Sequence, residues 1–369
     1  MTSMKHTKSL LFISIIAAAS SAQAMPLLNA ELNNQSIYAN VYITVGALAT
    51  AGGNMQSPGA ISTGAGSIAG GNIEAGTFAS IGASGAVKGN IKSGTYTSAG
   101  AGAGLSGDIK TGTYASFGNS AVVAGSVESG TDTRIDLTAT VVITKQNLTM
   151  EPGYSAPKVI IQTENIESAQ QTLKDLGQGT QLAVGFGTND ELLGAGLYSV
   201  ADYLTVAAGT TITLDGEGVD SSWVFNISNY MTFGALANIE LLNVTDESSI
   251  IWNILGDKTV GAGEGYTTLG AGAKFRGLVL SKGYISAGDS AVMLGVGDYC
   301  GGAFSATNYV TLGANATLGA DGCKNGAATA YDNLARLPPA AVPEPSTALL
   351  LGLSLGLFGI ARRKKARVH

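Results

Sequence analysis

Tyr96-Thr97-Ser98-Ala99-Gly100-Ala101-Gly102-Ala103 reads as filler until its pattern is followed along the chain. An aromatic, a small or apolar residue, Ser or Thr, an apolar residue and Gly begin again at Tyr42, Ala60, Phe78, Tyr96 and Tyr114, with 18 residues between successive copies. A second set starts at Tyr230, Tyr266, Tyr284 and Tyr309, with a degenerate copy at Tyr203; its spacing is irregular apart from one 18-residue step, from Tyr266 to Tyr284. Alongside the first set runs Gly53-Asn54-Met55, Gly71-Asn72-Ile73, Gly89-Asn90-Ile91, Gly107-Asp108-Ile109 and Gly125-Ser126-Val127, in the same period.

Counting the aromatic as position 1, positions 2 and 4 are mostly apolar or small (Ile43 and Val45, Ala115 and Phe117, Met231 and Phe233, Val310 and Leu312). Position 10 is apolar as well (Val87, Leu105, Val123, Ile239, Phe275, Leu318), and in the first set so is position 14. A spacing of two between inward residues is the strand period, and glycines between short runs supply corners. Three short strands per 18-residue turn cannot bury their apolar sides alone, so successive turns must stack at about 4.8 Å. The expected fold is mainly all-β: a right-handed β-solenoid of about 18-residue coils. A helical repeat is excluded by the glycine density and the alternation of two.

Between the two sets the rhythm stops, and Glu164 to Leu176 reads as one long α-helix packed alongside the coils, with Ile166, Ala169, Leu173 and Leu176 on one stripe and Gly177 as its stop. Its expected role is to buttress one wall.

The rest of the chain places this solenoid outside the cytoplasm. Lys5 and Lys8, an apolar run and Ala22-Gln23-Ala24 make residues 1–24 a secretory signal. The solenoid domain is expected over 25–325, a linker over 326–342, and a sorting tail over 343–369: Pro343-Glu344-Pro345, an apolar segment, then Arg362-Arg363-Lys364-Lys365. The tail resembles the Pro-Glu-Pro C-terminal sorting signal of Gram-negative bacteria. That resemblance implies transient inner-membrane association, recognition and cleavage by an exosortase, and delivery to the cell surface or matrix. Cys300 and Cys323 stand either as one disulfide or as two buried thiols, and export favours the disulfide.

Composition narrows the function. The chain has 20 basic and 26 acidic residues, but seven of the basic ones lie in the two terminal segments, so its middle is strongly acidic and no nucleic-acid partner is expected. The two histidines, His6 and His369, both fall in those segments, leaving the mature chain without a histidine base or ligand. Asp215 with Glu217 and Asp220, or Asp289 with Asp298, could hold Ca²⁺ or act as acid and base, but turn roles account for them better. Gly261-Ala262-Gly263-Glu264-Gly265 lacks the strand–helix context of a dinucleotide loop. No enzyme, cofactor or metal site is expected.

What remains is a surface. Outward position 3 is Thr44, Ser62, Ser80, Ser98 and Ser116 in the first set, and Thr205, Thr232, Thr268, Ser286 and Thr311 in the second. Stacked, these hydroxyls would form a column beside a column of aromatics, although Ser and Thr are also simply good strand residues.

Residues from about Asp190 to Leu318 resemble the microbial ice-binding protein family, in Leu192-Leu193-Gly194-Ala195-Gly196-Leu197-Tyr198, Thr213-Leu214-Asp215-Gly216-Glu217-Gly218, Trp223-Val224-Phe225-Asn226-Ile227, Ile251-Trp252-Asn253-Ile254 and Thr268-Leu269-Gly270-Ala271-Gly272-Ala273. The resemblance implies a discontinuous β-solenoid with one packed helix. Ala195-Gly196-Leu197 departs from the family's usual Pro-Gly and β-branched residue, and the strict opening array departs from its usual first half. The expected function is ice binding through the Ser/Thr column. The alternative is a structural or adhesive component of an extracellular polysaccharide matrix, to which the aromatic column and the sorting tail would also be suited.

Overall fold

The computed structural model describes residues 27–136, 138–146, 155–183, 186–256, 265–297, 299–319 and 323. The secretory signal, the linker, the sorting tail, Asp298 and residues 261–264 of the glycine run lie outside the described residues.

The chain winds into a three-walled solenoid in which every strand pairing is parallel. One wall is an 11-stranded sheet made of the Tyr-motif rungs, and the other two walls share a 23-stranded sheet. The inward positions carry the core. Ile43, Val45, Met55, Ile73, Val87, Leu105, Ile109, Phe117, Val127, Phe233, Phe275 and Leu318 are all buried in one cluster that runs through both repeat sets. Each such side chain contributes about 1.5–3 kcal/mol on leaving water.

The order of rungs differs from the order of the chain. Along the 11-stranded wall the sequence of strands is Leu204–Val206, Met231–Phe233, Thr267–Leu269, Ile285–Ala287, Val310–Leu312, then Tyr42–Val45, Ala60–Thr63, Ala79–Ile81, Thr97–Ala99, Tyr114–Phe117 and Asp132–Ile135. The chain therefore enters at the middle and winds to one end. It then crosses to the other end and winds back until its last rung meets its first. At that junction Ile37 pairs with Ala303, Thr44 with Thr311 and Thr50 with Thr317. The backbone ladder is unbroken there, with Gly46 N–H donating to the Leu312 carbonyl at 2.8 Å and Thr50 N–H to that of Ala316 at 2.8 Å.

Two corners explain the recurrent small residues. The side-chain oxygens of Asn54, Asn72, Asn90 and Asp108 each accept the backbone N–H of the residue one coil on (Asn72, Asn90, Asp108, Ser126) at 2.7–2.8 Å. A Cβ on Gly71 would sit 2.4 Å from the Asn54 oxygen, so the residue before the Asn or Asp must be glycine. At the corner after the Tyr motif the chain turns through the left-handed region, at Ser84, Gly102, Ser120, Gly272, Ser290 and Asn315 among others. One inward position was not read from the sequence: Ser93 and Thr111 are buried, and their hydroxyls bond to each other at 3.0 Å.

The helix α2 (Thr163–Asp175) begins and ends one residue before the expected bounds. Ile166, Ala169 and Leu173 are buried against Val224, Ile251, Leu278, Leu280 and Phe304, together with Tyr38 and the Leu32 side chain of the short helix α1 (Ala30–Asn33), which the sequence reading missed. Leu176 does not join the stripe. It caps the helix and is 38% exposed, because the last turn ends before it reaches the wall. The docked wall is buried on both sides, as the wholly buried strands Ser222–Ile227 and Ser249–Ile254 show. Polar anchors fix the helix: the Asn226 amide donates to the Leu173 carbonyl, and that of Asn253 to the Gln170 carbonyl, both at 2.9 Å. Cys300 and Cys323 form a disulfide at the junction end of the last rung. Among the described residues no helix is long and apolar enough to cross a membrane.

Candidate functional site

The helix lies on the wall of the larger sheet, so among the described residues no helix covers the Tyr-motif wall. On that wall the outward position-3 side chains come into direct lateral register from one repeat set to the other: Thr205, Thr232, Thr268, Ser286, Thr311, Thr44, Ser62, Ser80, Ser98, Ser116. These ten hydroxyls follow the backbone ladder at about 4.8 Å per rung, and Arg134 takes the next place in the column. Tyr203, degenerate in sequence, precedes a regular rung. None of the ten is buried; Thr44 and Thr205 are exposed and the others intermediate. Some bond along the column, the Thr268 hydroxyl donating to that of Thr232 at 3.3 Å and the Thr311 hydroxyl to that of Ser286 at 3.1 Å.

One flank of the column is a stack of rings. Tyr203, Tyr230, Tyr266, Tyr284, Tyr309 and Tyr42 follow one another with centroids 4.7–5.2 Å apart and planes within 13°. After Ala60 the stack resumes with Phe78, Tyr96 and Tyr114, at 4.9 and 5.1 Å. Burial pushes the phenols of Tyr42, Tyr230 and Tyr284 above the ordinary tyrosine range, and the neighbouring phenols add to the shift, so these rings stay neutral. The other flank is glycine. At Gly46, Gly270 and Gly313 a Cβ would lie 2.4–2.6 Å from the backbone of the adjacent rung. The result is a flat strip of hydroxyls, walled by rings on one side and by bare backbone on the other. Positions 1 to 4 of every rung from Tyr203 to Phe117 carry no charge.

The described carboxylates weighed as alternatives sit at a strand end (Asp215), in a loop (Asp220) and in a turn (Asp289), where each accepts local hydrogen bonds. Asp215 accepts the Glu217 N–H and the Asn243 amide, both at 3.0 Å, Asp220 accepts the Thr245 hydroxyl at 2.7 Å, and Asp289 accepts the Ala314 N–H at 3.0 Å. Among the described residues no three His, Cys, Asp or Glu side chains come together as a metal site would need.

Two family models match the chain. The ice-binding-like family model matches residues 111–318, and a PEP-CTERM protein-sorting motif matches residues 341–365. No curated protein matches the chain by sequence. Among solved structures, the chain is similar to the ice-binding protein of the Antarctic ascomycete Antarctomyces psychrotrophicus, at 15% identity over 79% of this chain and 97% of that one, with a TM-score of 0.43. It is also similar to a glycosylated ice-binding protein from an Arctic yeast (17% identity, 80% and 93% covered, TM-score 0.44). A third is an ice-binding protein of Shewanella frigidimarina (19% identity, 80% and 99% covered, TM-score 0.38). Global superposition is loose in all three, so the assignment rests on the family match, which spans more than half of the chain: the protein belongs to the ice-binding-like family.

Proposed function

We propose that this is a non-enzymatic ice-binding protein, exported and delivered to the cell surface, that meets ice with the hydroxyl column. The observation that carries the reading is the column's continuity: Thr205, Thr232, Thr268, Ser286, Thr311, Thr44, Ser62, Ser80, Ser98 and Ser116 share one register on the wall that the helix leaves bare. Each hydroxyl contributes one weak contact to an ordered water, and each threonine adds a methyl that limits how neighbouring waters orient. Such contacts are individually small. They add up because their pitch is set by a rigid backbone ladder, so that little ordering entropy is lost on binding a lattice. No bond is made or broken.

The sorting motif supports the rest of the reading. Pro343-Glu344-Pro345 would be recognised by an exosortase after residues 1–24 have directed export, with the apolar segment holding the chain at the inner membrane until cleavage. Residues 25–325 then act as the ice-binding unit on a short linker. Slow directional freezing of a dilute solution tests this: the protein should partition into the ice, and its complete rejection into the liquid would overturn the reading.

A further inference from the structure

The stack of rings beside the hydroxyls is interrupted once. Tyr42 pairs with Ala60, and the backbone N–H of Ile61 reaches the Phe78 carbonyl at 3.0 Å, so Ala60 occupies a full rung between two rings and supplies only a methyl group. Neither neighbour leans into the gap. Tyr42 remains parallel to Tyr309 within 9°, and Phe78 to Tyr96 within 2°. Gly59, just before Ala60, has no side chain to fill it. With rings elsewhere one rung apart, the two facing rings stand two rungs apart, about 10 Å. A planar body placed midway would lie about 5 Å from each, the spacing the stack uses everywhere else.

We propose that this one-ring slot is a carbohydrate subsite that takes a single pyranose residue of an extracellular polysaccharide, sandwiched between Tyr42 and Phe78. The two walls call for a body with an apolar face on each side. A gluco-configured pyranose with all its ring hydroxyls equatorial has C–H groups on both faces and its hydroxyls around the edge. The rim of the slot matches that edge: Thr44, Ser62 and Ser80 stand outward on the same three rungs, in register, and the Tyr42 phenol is neutral. A bare arene would use the walls and leave the rim idle. The subsite adds the ring faces of Tyr42 and Phe78, which the hydroxyl column does not use, and shares only the rim hydroxyls of Thr44, Ser62 and Ser80 with it.

The test titrates cellohexaose, a β-linked gluco-oligosaccharide, into the protein, read by calorimetry and by saturation-transfer NMR. The expected result is weak binding in which ring C–H protons receive the transferred signal. Ala60→Tyr completes the stack and closes the slot, so it should weaken binding by about tenfold or more while leaving the thermal transition and ice recrystallisation inhibition intact. Ala60→Gly keeps the slot open and should bind like the parent. Failure of the parent to bind cellohexaose, equal affinity in Ala60→Tyr, or binding of indole in place of cellohexaose would each overturn the proposal without touching the ice reading.

Discussion

Thr311 and Thr44 lie side by side in parallel register on the bare wall, although one belongs to the last rung of the chain and the other to its first complete one. This contact turns two short hydroxyl arrays into one column. Ice adhesion should therefore be most sensitive near the junction. Thr311→Tyr or Thr268→Tyr raises a ring above the flat strip without touching the core, and should reduce recrystallisation inhibition by about tenfold or more, since each misfit group also lifts its neighbours from the lattice. A bulky change on the outward face of another wall, Lys92→Tyr, should leave it unchanged. Equal loss from all three variants would mean that no single wall is used.

The helix is expected to hold by few polar anchors. Asn253 donates to the Gln170 carbonyl at 2.9 Å and to the Asn226 oxygen at 2.8 Å, all within a buried seam. Asn253→Ala leaves these acceptors unmet and should cost about 1–3 kcal/mol. Hydrogen exchange should show the loss as faster exchange in α2, with the Tyr-motif wall little affected.

Much of this architecture can be read in the sequence, and the parts that cannot have definable physical causes. The 18-residue period gave the inward and outward positions because neighbouring coils repeat the same contacts, so Ile73, Ile91 and Ile109 fall into one buried row. Periodicity says nothing about which ends of two arrays meet. Every rung offers the same hydrogen-bonding edge, so the pairing of Thr44 with Thr311 had no local signal. The buried hydroxyls of Ser93 and Thr111 were missed because a polar inward residue breaks the apolar pattern, and their bonds to each other, to the Thr97 hydroxyl and to the Thr95 carbonyl make it tolerable. The rung at Asp132–Ile135 has lost its aromatic, but it lies one period after Tyr114 and could have been found by counting. Leu176 carries the right residue type for the helix stripe, yet it lies one position past the helix that would have buried it. For the candidate face the sequence supplied its residues; their continuity across the junction came only from the topology.

The stacked phenols make the fold sensitive to alkali. Tyr42, Tyr230 and Tyr284 titrate above the ordinary value of 10.0, chiefly because burial disfavours the phenolate and secondarily because adjacent phenols would repel it. A raised folded-state pKa means that the stabilisation is fully present below pH 10.0 and is lost as pH rises through the folded value. Ultraviolet titration should show a group of tyrosines ionising late, together with a falling melting temperature above that pH. Ionisation of all tyrosines at the ordinary value would contradict the stack.

Reduction should loosen the junction. The Cys300–Cys323 bond closes a span of 23 residues against the rung that meets the start of the chain. Its loss through Cys323→Ser, or by a thiol reductant, should cost about 2–4 kcal/mol. Calorimetry of the oxidised and reduced forms reads this directly, and an unchanged transition would place the stability elsewhere.

The central claim, that the bare hydroxyl column binds ice, is tested most directly by recrystallisation of fine-grained ice in the presence of the folded protein. The account predicts arrested grain growth at micromolar protein and a measurable thermal hysteresis, both strongly reduced in Thr311→Tyr. Normal coarsening with the unaltered protein would contradict it.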